Sequence, residues 1–311
     1  MRIDLYCTAA GIPESGLRGR TTIALDVLRL STCIASAVHL ACKDIIPTRG
    51  VEAALALSQN LGRSSVLLCG EQNGKKIEGF DLGSSPSEYT AEIVQGRVLV
   101  FAVTNGSSAL ARNKPGEVSL VACFLNASSV STHAALSSAD VVIICSGVEG
   151  ALSLEDAVCG GLIVSRLCDQ FPNQHLQLND AAVAARALYE HYAANILGML
   201  RISAHGRHLA QMGLQHDLEI CAQVDALDVV PVLLEGHIRP CGCGRAWKQS
   251  ETPVARCSPR RTPSAPLRSS PGSQVGQKPP LLFSCTQAGQ LGRAKQPRAR
   301  VPAPTDHSTT I

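Results

Sequence analysis

Six short apolar runs, each followed by a stretch with helical periodicity, constrain the fold of this chain more than any other feature. The runs are TTIALDV, DIIPT, SSVLLCG, RVLVFAV, VSLVACF and DVVIICS. Strands whose hydrophobicity is continuous, rather than alternating, are typical of sheets that are buried on both faces. The stretches between them, such as STCIASAVHLACK and LSLEDAVCGGLIVSRL, complete a βαβ rhythm. This pattern predicts a three-layer α/β/α fold with a mostly parallel sheet.

The last 71 residues differ sharply from the rest of the 311-residue chain. Residues 241–311 contain ten of the 17 prolines and carry 11 Lys+Arg against 2 Asp+Glu, a net charge of +9. Residues 1–240 then carry (28−11) − (25−2) = −6. Because no helical or strand periodicity is visible in the tail, we predict one domain over residues 1–240 and a disordered, basic, Pro-rich tail over residues 241–311. Such tails are more often solvated extensions than nucleic-acid modules, so no specific nucleic-acid partner is expected.

Cysteine usage and hydropathy indicate the environment of the protein. Nine of the 13 cysteines precede residue 241, and most lie singly in apolar runs such as VLLCG and VVIICS. They are typical of small buried hydrophobic residues in a reducing cytoplasm, and no apolar run approaches the roughly 18 residues of a membrane span. We expect a cytoplasmic protein without a membrane partner. The sequence is compatible with a homo-oligomer but does not determine the oligomeric state.

Four polar side chains follow the run TTIAL, where an apolar strand-to-helix crossover would need none: Asp26, Arg29, Ser31 and Thr32. Ligands of open α/β sheets bind beyond the carboxyl ends of the strands, where helix N-termini favour anions. Arg29 adds a bidentate donor suited to phosphate or carboxylate oxygens. Asp26 would repel an anion unless a cation such as Mg²⁺ lies between them.

The same pattern recurs at other strand ends. The run VFAV leads into Thr104, Asn105, Gly106 and Ser107, the run VACFL leads into Asn126, and Glu71 follows VLLCG. If the sheet is parallel, these groups emerge along one edge, which predicts an anion site there.

Several other polar residues have structural explanations. Glu88 fits a capping box in SPSE, and Glu155 with Asp156 could complement a helix dipole. His205 or Arg207 could reach a ligand, although a helical His is more often a surface or packing residue. The motifs G-x-x-x-x-G-K-[ST], G-x-G-x-x-G and G-x-S-x-G are absent, which argues against a P-loop nucleotide site, a dinucleotide site and an esterase elbow.

Several longer segments resemble the 2-phosphosulfolactate phosphatase (ComB) family. They are DVLRLST, GE with GFDLGSSPSEYT, TNGSSAL, FLNASSV, CSGVEGALSLEDAVCGG and HGRHLAQMGLQHDLEICAQVDALDVVPVL. They occur in the family's order and span nearly all of residues 1–240. The resemblance implies a Mg²⁺-dependent phosphomonoesterase that converts 2-phospho-3-sulfolactate to 3-sulfolactate and phosphate, a step of coenzyme M biosynthesis in methanogens.

The resemblance also implies a site. Asp26, Arg29 and Glu71 match the family's motifs, and from their chemistry we infer catalytic roles for them, with Asp26 and Glu71 holding Mg²⁺ and a metal-activated water as nucleophile. The motifs also contain Ser31, Thr32, Thr104, Asn105, Gly106 and Asn126, and to these residues, together with Ser107, we assign phosphate binding. The chain departs from the family pattern at three positions: Gln72 replaces an expected Arg, Ser84 an Asn, and Ser107 a Thr.

Two further hypotheses remain open at this stage. Because Gln72 lacks a positive charge, the enzyme could hydrolyse another small phosphorylated hydroxy acid. Alternatively, the protein could bind an anionic metabolite without catalysis. The pair Asp26 and Glu71 argues against the second hypothesis, since carboxylates weaken a pure anion site.

Overall fold

The computed structural model describes residues 1–10, 12–13, 16–103, 108–111, 119–137, 139–172 and 175–241. The predicted disordered tail therefore lies outside the described residues except for Cys241, and so do the turn residues 104–107. The proposed boundary at residue 240 stays a prediction.

Eleven strands within the described residues form one mixed sheet, in the order β5-β4-β6-β3-β11-β10-β7-β2-β8-β1-β9. In chain order they are β1 Arg2–Tyr6, β2 Thr21–Leu25, β3 Asp44–Arg49, β4 Val66–Gln72, β5 Lys75–Lys76, β6 Val98–Val103, β7 Ser119–Ala122, β8 Val141–Cys145, β9 Gln177–Leu178, β10 Pro231–Leu234 and β11 His237–Pro240. All six predicted strands are present as β2, β3, β4, β6, β7 and β8.

Ten α-helices are described alongside the sheet. They are α1 Leu30–His39, α2 Gly50–Leu61, α3 Ala91–Val94, α4 Ser108–Ala111, α5 Ala127–Leu136, α6 Leu154–Gln170, α7 Asp180–Tyr192, α8 Ile196–Ile202, α9 Ala204–Gln211 and α10 Gln215–Cys221. No described helix is both long and apolar enough to cross a membrane.

The sheet consists of two parallel groups joined by an antiparallel hairpin. Strands β9, β1, β8, β2 and β7 pair in parallel, as do β3, β6 and β4, whereas β10 and β11 pair antiparallel with each other and with their outer neighbours β7 and β3. The prediction of a mostly parallel sheet is confirmed. The hairpin nevertheless reverses one group relative to the other, so the ends of β2 and β4 do not share an edge in the way a fully parallel sheet would require.

Residues from these two strand ends are nevertheless in contact. Six neighbouring pairs separate β2 from β4. Arg29 Nη2, in the loop beyond β2, lies 2.9 Å from Glu71 Oε2, at the end of β4.

Alternate residues of the central strands feed two separate cores, which confirms the three layers. Ile23 and Leu25 of β2 pack with residues of α5, α6 and α7, whereas Ala24 packs with residues of α1 on the opposite face. Two adjacent glycines bring α6 close to its neighbours. A Cβ on Gly160 would lie 2.6 Å from Leu5 Cδ1, and one on Gly161 would collide with the carbonyl oxygen of Ala185 in α7.

The cysteines of the described residues are all free thiols, and seven of the ten are buried. They act as small apolar side chains, as their positions in apolar runs predicted.

Candidate active site

The loop between β2 and α1 is held by the hydroxyl groups that follow it. Ser31 Oγ donates to the Asp26 carbonyl oxygen at 2.7 Å, and Thr32 Oγ1 donates to the Val27 carbonyl oxygen at 2.8 Å. Both side chains are buried, with exposed fractions of 2% and 0%. Ser31 and Thr32 therefore fix the path of the loop that carries Asp26 and Arg29, and direct phosphate binding by these two hydroxyls stays a prediction.

Arg29 connects three distant segments. Its Nη1 donates to Asp217 Oδ2 at 2.6 Å, and its Nη2 donates to Glu71 Oε2 at 2.9 Å and to the Gly74 carbonyl oxygen at 3.2 Å. The residue is only 5% exposed. Because these bonds fix the guanidinium plane and use three of its five N–H groups, Arg29 is oriented before any ligand arrives. The structure thus brings Arg29 and Glu71 together, as the sequence predicted.

Asp217 of α10 binds Arg29 through Nη1, whereas Glu71 binds it through Nη2. Asp217 Oδ1 accepts a bond of 2.5 Å from Ser85 Oγ, so one buried carboxylate joins the segments around residues 29, 85 and 217. The capping box predicted for SPSE is not formed, because the Ser85 hydroxyl is directed to Asp217. Glu88 is structural, as expected, but it accepts a hydrogen bond from Gly83 N–H at 2.8 Å.

Asp156 ties two crossover loops together. Its Oδ1 accepts from Val27 N–H at 2.9 Å, and its Oδ2 accepts from Gly147 N–H at 3.2 Å, beyond β8. Asp156 and its neighbour Glu155 are 3% and 2% exposed. We expected these two acids only to complement the dipole of α6. This interpretation is too weak, because both acids are buried beside Asp26 and Asp156 holds the loop that carries Asp26.

The carboxyl groups at this point of the sheet are short of positive charge. The pKa of Asp26 is raised to about 7, primarily by lost solvation and also by the charges of Glu155 and Glu71, although hydrogen bonds to the carboxyl group oppose this shift. The pKa of Asp156 lies well above its usual value because of burial and the charges of Asp26 and Glu155. A carboxyl group in this situation favours either a proton or a nearby cation.

His205, the second residue of α9, borders the same cluster. Its Nδ1 lies 3.7 Å from Glu155 Oε1, and its side chain is 28% exposed while that of Glu155 is 3% exposed. Burial lowers the pKa of His205, although the charges of Glu155 and Glu71 oppose this shift. The lower pKa favours the neutral form of the imidazole.

The donor chemistry of the cluster suits a hard cation, although the described side chains do not form a complete cage. No group of three or more His, Cys, Asp or Glu side chains is close enough, among the described residues, to hold a metal ion. Ser146 lowers the pKa of Asp26, yet within the described part of the chain its buried Oγ makes no hydrogen bond of normal geometry. The site thus offers carboxylate oxygens and the Ser146 hydroxyl, which are ligand types that Mg²⁺ accepts.

The other predicted phosphate-binding residues are not part of this described cluster. Asn126 is 0% exposed, and its side chain bonds to the backbone of Cys123, Val121 and Val229. It closes the turn beyond β7, so phosphate binding by Asn126 stays a prediction. Thr104, Asn105, Gly106 and Ser107 lie outside the described residues. Gln72 is exposed at the end of β4, beside Glu71.

Sequence reasoning underrated three members of the cluster, namely Glu155, Asp156 and Asp217. One signal was available for α6, because the segment LEDAVCGGLIV is apolar on every side and therefore predicts a helix buried all round, acids included. Asp217 likewise shares a helix face with Leu218 and Cys221, which are both buried. An acid on an apolar face needs a partner, and here that partner is Arg29.

Comparisons with known proteins converge on one family. The family model described as 2-phosphosulpholactate phosphatase matches residues 6–236, a range that contains the whole cluster. A probable 2-phosphosulfolactate phosphatase of Caldanaerobacter subterraneus subsp. tengcongensis is 35% identical over 239 residues, which cover 77% of this chain and 98% of that protein. Proteins with the same description from Clostridium acetobutylicum and Symbiobacterium thermophilum are 33% and 34% identical, covering 76% and 73% of this chain and 100% and 96% of their own lengths.

Proposed function

This chain belongs to the 2-phosphosulfolactate phosphatase family, a family of phosphoric monoester hydrolases, and from this premise we propose that it hydrolyses 2-phospho-3-sulfolactate to 3-sulfolactate and phosphate with the help of Mg²⁺. The observation that carries the proposal is the convergence of Asp26, Arg29 and Glu71 from two distant strands. Polar residues that meet from such distant parts of the chain indicate a functional site, because packing of the core alone does not require polar side chains there.

The charge of the site supports a metal cofactor. The substrate carries a phosphate, a carboxylate and a sulfonate, whereas the described cluster holds Asp26, Glu71, Glu155, Asp156 and Asp217 against the guanidinium of Arg29. A polyanion can approach these carboxyl groups only if protons or a cation neutralise them. A divalent ion would supply that neutralisation and would favour the ionised form of Asp26 over the protonated form.

Asp26 and Glu71 are the residues that would hold Mg²⁺. Glu71 uses Oε2 for Arg29, which leaves Oε1 as a metal ligand, and the Ser146 hydroxyl lies next to Asp26. Mg²⁺ usually binds proteins through one or two carboxylates and completes its shell with water and substrate phosphate, so a cage of three protein ligands is not required. When bound, the ion would polarise the phosphoryl group and offset its charge.

Arg29 and the loops supply the remaining functions. The guanidinium keeps two N–H groups beyond those used by Asp217, Glu71 and Gly74, and its fixed plane suits charge that develops on phosphoryl oxygens. Asp156, Ser31 and Thr32 hold the backbone of residues 26 and 27, at the start of the loop that carries Asp26 and Arg29. The predicted phosphate contacts of residues 104–107 and Asn126 complete the proposal.

A second candidate substrate class is favoured by Gln72. The exposed amide lies next to Glu71 at the end of β4, where an arginine would add positive charge for one anionic group. Without that charge, a phosphorylated hydroxy acid that lacks the sulfonate is an alternative substrate.

Phosphate release tests both candidates. The purified chain is incubated with 2-phospho-3-sulfolactate, with phosphorylated hydroxy acids that lack the sulfonate, and with a neutral alkyl alcohol phosphate, each with Mg²⁺ or with EDTA. We expect the highest kcat/KM for 2-phospho-3-sulfolactate and loss of turnover in EDTA that Mg²⁺ restores. Full activity in EDTA would contradict the metal, and a preference for a sulfonate-free ester would favour the second candidate.

A further inference from the structure

We propose that His205 is the general base of this phosphatase, which takes a proton from the attacking water, and that Glu155 is the positioning residue that holds its ring. The inference rests on the proposed function insofar as it assumes a phosphomonoester substrate. It assigns a role to two residues that the predicted set of catalytic and phosphate-binding residues does not include.

The backbone places His205 at the site through a tight corner between α8 and α9. Ser203 caps α9 by accepting from Gly206 N–H at 3.0 Å. Gly206 has no side chain, and a Cβ at this position would collide with the carbonyl oxygen of Leu200 in α8. Because the corner cannot open without breaking this packing, His205 is held at the start of α9, beside the first turn of α6 that carries Glu155.

The contact with Glu155 orients the imidazole. Nδ1 faces Glu155 Oε1 at 3.7 Å, somewhat beyond hydrogen-bond distance, and such contacts commonly tighten when substrate binds. A buried carboxylate at Nδ1 favours the tautomer with hydrogen on Nδ1, which leaves the lone pair on Nε2. Because the His205 side chain is 28% exposed, water has access to it.

Charged groups on four elements surround the ring. They are Glu155 of α6, Glu71 of β4, Arg29 of the loop before α1 and His208 of α9 itself. The two acids raise the pKa of His205, and Arg29 and His208 lower it, while burial is the largest influence and also lowers it. A lowered pKa favours the neutral ring, and a neutral ring can accept a proton, as a general base must.

The proton balance of the proposed step is simple. The oxygen of water forms a bond to phosphorus while the bond between phosphorus and the ester oxygen breaks. The water proton moves to His205 Nε2, the leaving alkoxide takes a proton from solvent, and His205 then returns its proton to solvent. The carboxyl group of Glu155 beside Nδ1 stabilises the imidazolium that forms.

Chemical rescue of His205→Ala by imidazole tests the assignment. We expect kcat to fall at least roughly 100-fold, with unchanged melting temperature and an unchanged Mg²⁺ concentration for half-maximal activation. Added imidazole should restore turnover in a saturable manner that follows the neutral form of imidazole as pH is varied. Glu155→Gln should lower kcat less, by roughly tenfold, without rescue. His216→Ala is the matched control, because this histidine is 72% exposed and bonds only to Glu219 among the described residues.

Two substrates separate this inference from the proposed function. The variants are assayed with 2-phospho-3-sulfolactate and with 4-nitrophenyl phosphate, whose leaving group needs no proton, so a loss on both assigns the proton to the attacking water. Activity of His205→Ala within about threefold of the parent, or a loss that imidazole does not restore, would overturn the role of His205. A parent enzyme that hydrolyses only other phosphomonoesters would refute the proposed substrate while still testing His205. A parent that releases phosphate from no ester would refute both proposals.

Discussion

Buried acids in two regions of the sheet differ in their partners: Asp4 within β1 and Asp44 at the amino end of β3 are matched by cations, whereas Asp26 and Asp156 at the carboxyl ends are not. Asp4 of β1 is 1% exposed and pairs with Arg2 at 2.9 Å and Arg20 at 2.7 Å. Asp44, at the start of β3, pairs with His237 at 2.7 Å and Arg239 at 2.9 Å. These carboxylates are neutralised within the protein, so their region is complete without a ligand.

The carboxyl ends show the opposite balance. Asp26 and Asp156 form no ion pair with any described residue, and the pKa of each is raised, primarily by lost solvation. Arg29 is already shared between Asp217 and Glu71. Because an uncompensated buried carboxylate destabilises the folded state, its presence at one end only indicates a functional requirement there. The predictions below test whether the imbalance is functional.

The largest expected effect is that of Asp26→Asn on catalysis. The amide keeps the shape of the carboxyl group but binds a divalent cation poorly, so we expect kcat/KM to fall by roughly 10³ or more, about 4 kcal/mol. Phosphate release at saturating Mg²⁺ measures this. Activity within about tenfold of the parent would mean that the acid is not needed for turnover.

The same variant should be more stable than the parent without metal at pH 8. Since the folded pKa of Asp26 is raised to about 7, the folded state binds more protons than the unfolded chain between about pH 4 and pH 7, and stability falls as pH rises through that range. Asn cannot ionise, so we expect a melting temperature higher by roughly 2–4 °C, or about 1 kcal/mol. The gain in melting temperature should vanish near pH 4. A melting temperature of Asp26→Asn below that of the parent at pH 8 would contradict the view that Asp26 lacks a compensating positive charge.

In the region of the matched acids, Asp4→Asn should have the reverse consequences. It leaves Arg20, whose side chain is 13% exposed, without its ion pair. Breaking one partner of a buried pair costs about 3 kcal/mol, which lowers the melting temperature by roughly 6–12 °C. We expect kcat per folded molecule to stay within twofold of the parent, about 0.4 kcal/mol. A strong loss of kcat in a folded variant would show that the two ends are not separate in function.

A smaller effect is expected for Arg29→Lys. Lysine keeps the charge but cannot bind Asp217 and Glu71 with a planar fork, so we expect kcat/KM to fall at least roughly tenfold, about 1.4 kcal/mol. Because Arg29 is buried and bridges two acids, a lower melting temperature should accompany the loss. Titration calorimetry of phosphate binding distinguishes a role of Arg29 in ligand binding from a role in stability. An unchanged affinity for phosphate together with a lower melting temperature would show that Arg29 is purely structural.

The sequence predicted the strands and the meeting of Arg29 with Glu71, but for an incomplete reason. Continuous apolar runs identify buried strands, and all six were found. The hairpin of β10 and β11 was missed, since PVLLEGHIRP is short and separated by more than 100 residues from β7, with which it pairs. Strand order depends on such long-range pairings, which local periodicity does not encode.

Burial of polar groups was the second point that local patterns could not determine. Ser31, Thr32 and Asn126 looked like ligand donors because they follow strands, yet each is bonded to backbone carbonyl or amide groups. Glu155 and Asp156 looked like dipole partners, yet they face Asp26. A polar residue at a strand end is equally compatible with a turn and with a site, and only the packing of α6 and α10 separates the two.

The smallest effect is expected from removal of residues 242–311, which also tests the comparison of the two strand ends most directly. These residues carry the same 11 Lys+Arg and 2 Asp+Glu as the predicted tail, because Cys241 is neutral. If the tail supplied the cations that Asp26 and its neighbours lack, truncation after Cys241 would lower kcat/KM and increase the dependence of kcat/KM on Mg²⁺.

The tail has the composition of a solvated extension, and the family model ends at residue 236. We therefore expect kcat/KM within about twofold of the full chain, a difference of about 0.4 kcal/mol, and the same Mg²⁺ concentration for half-maximal activation. Measuring kcat/KM and the Mg²⁺ concentration for half-maximal activation at low and high ionic strength checks this expectation. A tail that acts through charge would make these two values depend on salt in the full chain but not in the truncated chain.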